Sequence, residues 1–284
     1  WRSDRPGAPT PSSHSLGALM ARESYGAPGQ IARVIYMGWL FSLKQLTQSS
    51  FFLLVSAIQP VIFATIAFFM FKAGQREGTL LYVALGAGLM GIWSSTLFGS
   101  GGMIQWERYQ GTLEIIMAAP TPFVLVLIPA ALATSTVGIY SIGATLLWGK
   151  MFFDIPLDFA HPFLFVLAVP VTIVALGLLG LLLASTFVMY RHANALSNLL
   201  EYPIWLVTGL LAPVALLPGW ATPISWVLAP TWGIKAIRSA ALGGAPLGEI
   251  GMTFLLGACY LVLGSIFVRI FDRRARQHAT LSLT

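Results

Sequence analysis

Glu107-Arg108-Tyr109-Gln110-Gly111-Thr112-Leu113-Glu114 is the stretch from which the fold can be read. It stands between two long apolar segments, residues 78–106 and 123–149, neither of which holds a charged side chain. The chain as a whole is only 9% charged, so three charges within eight residues mark a point where the backbone leaves an apolar medium. The two flanking segments are then helices entering and leaving that medium, because backbone amides in lipid must be satisfied within a helix or a closed barrel.

Composition extends this reading to the whole chain. The hydrophobic fraction is 57% and the mean hydropathy is +0.80, outside the usual balance of a soluble domain. Charge-free apolar runs cover residues 51–71, 78–106, 123–149, 162–190, 202–234 and 250–268. A bilayer core takes roughly 20 apolar residues of helix, and each run meets or nearly meets that length. The expected fold is an all-α membrane protein with six transmembrane helices.

The net charge of +6 points to orientation rather than to nucleic acid. Sorting cations by alternate loops places Arg2, Arg5, Arg22, Arg33, Lys44, Arg108, Arg191, Arg269, Arg273, Arg274 and Arg276 on one side. Lys72, Arg76, Lys150, Lys235 and Arg238 fall on the other, where Glu77, Asp154, Asp158 and Glu249 nearly neutralise them. The positive-inside rule then places both termini and the octet in the cytoplasm, in a multi-pass plasma-membrane protein. The basic cluster at Arg273, Arg274 and Arg276 reads as an anchor to anionic membrane lipid, with no nucleic-acid partner. Cys259 is the single cysteine and reads as a small buried hydrophobe.

Along the chain, residues 1–30 form a loosely ordered cytoplasmic N-terminus rich in Pro, Ser and Gly, without the apolar region of a cleavable signal peptide. A start at Trp1 rather than Met leads to the expectation that the natural start is missing or processed. Within an ordered membrane domain at 31–271, residues 31–48 show helical periodicity. They are expected as an interfacial helix with Trp39 at headgroup level. Spans are expected at about 51–71, 79–104, 123–149, 162–190, 202–217 and 250–271, followed by a cytoplasmic basic tail at 272–284. Gln59-Pro60 should bend the first span.

The run at 202–234 is too long for one crossing: 33 residues of helix would be about 50 Å. Pro213, Pro218, Pro223 and Pro230 divide it. Short outer helices are therefore expected around 220–228 and 231–242, with Trp220, Trp226 and Trp232 forming an aromatic belt.

Several familiar chemistries are excluded. Gly86-Ala87-Gly88-Leu89-Met90-Gly91 matches the dinucleotide pattern but lies within an apolar helix, where small residues instead let neighbouring helices approach. No phosphate-binding loop, HExxH zinc motif, cysteine cluster or nucleophile elbow occurs. Asp154, Asp158 and His161 lack a metal-ligand spacing and read as a solvated turn. The chain is expected to be non-catalytic alone and to hold no cofactor or metal. In the octet, Gly111 can end one helix and Thr112 can cap a short second one, with Glu114 in its first turn.

Six spans, an interfacial helix, and Glu107-Arg108-x-x-Gly111-Thr112-Leu113-Glu114 leading to Pro120 resemble the ABC-2 type permease family. So does Leu217-Pro218-Gly219-Trp220 followed by Ala229-Pro230-Thr231-Trp232 and Arg238. The likeness covers about residues 31–271; Tyr109-Gln110 and Ala119 depart from the usual pattern. The resemblance implies an exporter subunit that dimerises with a second permease copy or paralogue. Two cytoplasmic ATPase subunits would bind ATP and Mg and drive it. It implies a coupling helix between spans 2 and 3, engaged through Glu107, Arg108, Gly111, Thr112, Leu113 and Glu114, and re-entrant helices between spans 5 and 6.

Gln59, Ser94, Ser95, Thr96 and Thr208 are the candidate pathway residues, and their hydroxyls have the alternative of bonding the preceding helical turn. The expected cargo is hydrophobic or amphipathic: a drug, lipid or glycoconjugate. A rival reading is a membrane-embedded enzyme acting on lipid-linked substrates, with Asp154, Asp158 and His161 or Glu201 as acid–base groups. Those residues fall on opposite sides of the membrane. A channel is disfavoured because no span carries a ring-forming charge or a filter-like loop.

Overall fold

The computed structural model describes residues 28–48, 50–73, 80–112, 115–116, 122–187, 193–211 and 213–278. Leu113 and Glu114, the first 27 residues and the end of the basic tail lie outside the described residues. Every regular element among those described is helical. In order these are α1 (Pro28–Gln48), α2 (Ser50–Ala73), α3 (Leu80–Tyr109), α4 (Val124–Val137), α5 (Ile139–Phe153), α6 (Pro162–Phe187) and α7 (Ala193–Val207). A 3-10 turn at Val214–Leu216 precedes α8 (Ala221–Val227), α9 (Ala229–Leu242) and α10 (Pro246–His278).

Among the described residues, four segments are long and apolar enough to cross a membrane: Leu80–Ser100, Val124–Phe153, Pro162–Thr186 and Pro246–Ile270. The sequence predicts six. In α2 the shorter apolar stretch Ile58–Lys72 stands out, within a helix that runs through Pro60. The third crossing is divided at Gly138 into α4 and α5.

The fifth element differs from expectation. Helix is predicted from about residue 202 to 217, yet α7 spans Ala193–Val207 and ends where Gly209 takes a φ of +82°. A left-handed glycine stops a helix without the steric penalty that a Cβ would carry. The charge-free run begins at residue 202, so Glu201 would mark the edge of an apolar helix. Instead it is buried, so its charge does not mark where the apolar helix begins.

The bundle is built around α3, which packs against α2, α4, α5, α6, α7 and α9. Leu85, Leu89, Ile92, Trp93 and Leu97 on this helix are fully buried. Its small residues set the spacing: a Cβ at Gly88 would lie 2.9 Å from the Ile142 backbone, and one at Gly99 would lie 2.3 Å from Thr134. The glycine pattern at 86–91 is thus a helix-packing surface, as the sequence predicts.

α10 packs mainly on α6, and α1 lies along α4. Outward faces stay apolar, with Phe163 on α6 at 90% exposure and Phe254 on α10 at 68%. A protein that left such faces to water would lose the main stabilising term of folding, so these surfaces belong against lipid or another protein.

Candidate functional site

The first part of the octet is the last turn of α3. That helix continues to Tyr109, beyond the expected end near residue 104. Gly111 then adopts a φ of +69°. The Thr112 amide donates to the Glu107 carbonyl at 3.0 Å, the six-to-one bond of a Schellman C-cap. Sequence logic gives the Thr112 hydroxyl to the following helix. Here it turns back instead and donates to Glu107, with both the carboxylate and the backbone carbonyl within reach. The Ile116 amide donates to the Thr112 carbonyl at 3.0 Å. Helical backbone is described at Ile115 and Ile116.

Those two isoleucines point different ways. Ile115 is 70% exposed and Tyr109 is 80% exposed, giving the corner an apolar outer face. Ile116 packs inward on a cluster of Phe123, Val124, Leu127, Ile128 and Ala131 from the start of α4. Leu181 and Ala184 of α6 and Val268 of α10 complete that cluster, and Ile35 of α1 packs against it. The cluster on which Ile116 packs thus draws on α4, α6 and α10 together.

Beside the corner, between α1, α3 and α4, lies a cavity of about 730 Å³. Glu107 and Ile116 line one end, and Gly99 and Thr134 line the other. The remaining walls are mainly apolar, with Ser42 and Gln45 of α1 among them.

The five candidate pathway residues do not gather here. None lines the cavity. Ser95 bonds the carbonyls of Gly91 and Ile92, both at 3.0 Å, and Thr208 bonds that of Ile204. Thr96 bonds Ile92 at 2.7 Å and meets Ser135 of α4 at 2.9 Å. Ser94 donates to the buried carboxylate of Glu201, joining α3 to α7. Gln59 is half-buried on α2, next to Pro60.

At the opposite end, α8 and α9 form a hydrogen-bonded knot. Arg238 is 8% exposed and donates to three backbone carbonyls: Tyr82 (3.2 Å), Gly209 (2.8 Å) and Leu210 (3.2 Å). Burial lowers its pKa to about 10, so it keeps its proton at neutral pH. The Tyr260 hydroxyl of α10 donates to the Val227 carbonyl and accepts from the Ala229 amide, bridging the break between α8 and α9. The amides of Ala160 and His161 donate to the carbonyls of Ala241 and Ala240, tying the loop before α6 to the end of α9.

Sequence reasoning placed Arg238 merely among the outer-side cations. A lone arginine in a short, largely apolar helix was the available signal of a buried partner set.

The acid–base groups of the rival enzyme reading are scattered. Asp154 pairs with Lys150 at 3.1 Å on an exposed turn, Asp158 is exposed, and Glu201 lies inside against Ser94. No cluster of three or more histidine, cysteine or acidic residues suited to a metal occurs among the described residues. Compared with known families, residues 34–242 match the ABC-2 type transporter family. No curated protein matches the chain.

Proposed function

Because this chain belongs to the ABC-2 type transporter family, we propose that it is the permease subunit of an ABC exporter. ATP hydrolysis in a separate cytoplasmic subunit would drive a hydrophobic or amphipathic substrate out of the cytoplasm. Two permeases, identical or paralogous, and two ATPase subunits form the complex in the plasma membrane, with the octet and both termini in the cytoplasm.

The observation that carries this reading is the opposed placement of Ile115 and Ile116. Ile115 and Tyr109 offer an apolar face for docking, while Ile116 packs on a cluster built from α4, α6 and α10. The length of α3 agrees: 30 residues rise about 45 Å, beyond a hydrocarbon layer of roughly 30 Å. Its last turns therefore reach past the lipid. Closure of ATP-bound partner subunits would push the Ile115–Ile116 turn and tilt the helices that meet at Ile116.

The test is co-purification with candidate ABC ATPase subunits from the same organism, followed by ATP turnover in lipid discs. Ile115→Glu should reduce association by about tenfold or more, since a docked apolar side chain is worth roughly 1.5–3 kcal/mol. Association and turnover unaffected by Ile115→Glu would overturn the coupling role. Vesicle uptake of amphipathic dyes then tests the substrate class.

A further inference from the structure

The cavity between α1, α3 and α4 shares Glu107 and Ile116 with the octet corner, but most of its lining lies away from it along α1, α3 and α4. Its volume of about 730 Å³ falls in the range of small-molecule sites, roughly 300–1,000 Å³. It follows α3 from Gly99 to Glu107, a rise on the order of 12 Å. Over a similar length it follows α4 from Leu125 to Thr134. Val34, Phe41, Leu46, Phe98, Val126 and Pro129 supply the greasy walls. Thr134 turns its hydroxyl to the Ala131 carbonyl at 2.9 Å, and Ser42 and Gln45 are the other uncharged polar side chains among the described lining residues. Glu107, at the other end, is the one charged residue among the described lining residues. An elongated apolar slot with a carboxylate at its mouth fits a hydrocarbon chain that carries an amine.

Two further observations point to the source of that chain. Phe41 lines the cavity yet is 71% exposed, so the slot borders the outer surface of α1. There Tyr36, Met37 and Leu40 are also exposed, forming a face suited to the lipid phase. Gly102 lines the slot as well, and a Cβ there would meet nothing within 4 Å. The space is open beside the helix backbone itself.

We propose that this cavity is a lipid site that takes one acyl chain of an ethanolamine phospholipid, with the headgroup ammonium at Glu107. Anionic lipid is disfavoured there, because its phosphate would face the Glu107 carboxylate with no cation among the described lining residues. The site requires only that the chain be membrane-embedded, and it does not depend on the ATPase partner.

The experiment uses the full permease alone in lipid discs containing phosphatidylethanolamine with a photoactivatable group on its acyl chain. Irradiation and peptide mapping should place the label on residues 34–46 and 98–102. A phosphatidylglycerol probe of the same chain should label them about five-fold less, the preference expected of one charge-assisted contact. Gly102→Leu fills the slot, and leucine is the better helix former. It should abolish this labelling while leaving labelling of the exposed α10 face intact. Glu107→Gln keeps the shape and should erase only the headgroup preference. Equal labelling by both probes in the unmodified chain, or undiminished labelling in Gly102→Leu, would overturn the site. Failure to bind an ATPase would leave it standing and count only against the coupling role.

Discussion

The guanidinium carbon of Arg238 lies 3.5 Å from the centre of the Tyr82 ring, stacking α9 directly on the first turn of α3. The same side chain reaches the carbonyls of Gly209 and Leu210, just past the end of α7. One cation thus joins three separate segments at the end of the bundle opposite the octet. Its planar fork suits several carbonyls at once, and its face suits the ring.

Replacing Arg238 by methionine removes these contacts while keeping much of the stem. The buried carbonyls of Gly209 and Leu210 then lose their donor, at about 1–3 kcal/mol for each group left unpaired. A clear drop in the thermal unfolding midpoint of the purified protein is expected. Arg238→Lys should fall between the two, since an ammonium reaches fewer of the three carbonyls and cannot stack flat. Equal midpoints for all three proteins would show that the knot contributes nothing to stability.

Gly86 permits this arrangement. A Cβ built there would lie 2.5 Å from both the Arg238 Nη2 and the Leu210 carbonyl oxygen. The carbonyl belongs to the backbone and cannot move aside cheaply. Gly86→Ala should therefore destabilise the protein despite alanine's higher helix propensity. Combined with Arg238→Met, the loss should be smaller than the sum of the two single changes, because both act on one set of contacts. Additive losses in a double-mutant cycle would argue that Gly86 and Arg238 act independently.

How far the residues foretold this structure depends on whether a charge was read with its partners. The apolar runs on either side of the octet predict α3 and the α4–α5 pair, because hydrocarbon length and missing charge are local properties. The prolines at 218, 223 and 230 likewise foretell the short segments that became α8 and α9. Glu201 does not mark a helix boundary as a lone charge in sequence suggests, since the hydroxyl that donates to it, Ser94, comes from a helix far away in the chain. Taken as such a boundary, Glu201 shifts the expected fifth helix downstream of where α7 lies.

The hydroxyls of Ser95 and Thr208 follow the alternative the sequence allowed, bonding the preceding turn. At the octet, Gly111 was legible because a left-handed cap is a local requirement. The inward seat of Ile116 was not, since the cluster it packs on is assembled from α4, α6 and α10.

Gly111 offers a way to perturb the corner without touching the bundle. Its φ of +69° is in the left-handed region, and no atom lies within 4 Å of where a Cβ would stand. Gly111→Ala thus adds backbone strain of about 1–2 kcal/mol and no clash. Asparagine tolerates this conformation better. ATP turnover by the assembled complex should fall for Gly111→Ala and recover largely for Gly111→Asn, with the unfolding midpoint lowered slightly by alanine and less by asparagine. Identical turnover in the two variants would mean that the left-handed turn does not set the position of Ile115.

The Tyr260 hydroxyl sits at the hinge between α8 and α9 and serves both sides of the break, where Leu228 is extended at φ −97° and ψ 118°. Tyr260→Phe keeps the ring in its buried place but removes the acceptor for the Ala229 amide and the donor to the Val227 carbonyl. An amide left without a partner in a buried setting costs about 1–3 kcal/mol, and that cost can be relieved by letting the break open to water. Hydrogen exchange at residues 227–231 should therefore speed up by roughly tenfold, the kinetic equivalent of about 1.4 kcal/mol of lost local stability. Exchange along α6, away from the break, should be unchanged, which separates a local opening from general destabilisation. If Tyr260→Phe leaves exchange at 227–231 as it was, another contact holds α8 and α9 together. The nearest candidate is then the Trp232 indole, which donates to the Trp226 carbonyl at 3.0 Å, and Trp232→Phe becomes the next change to make.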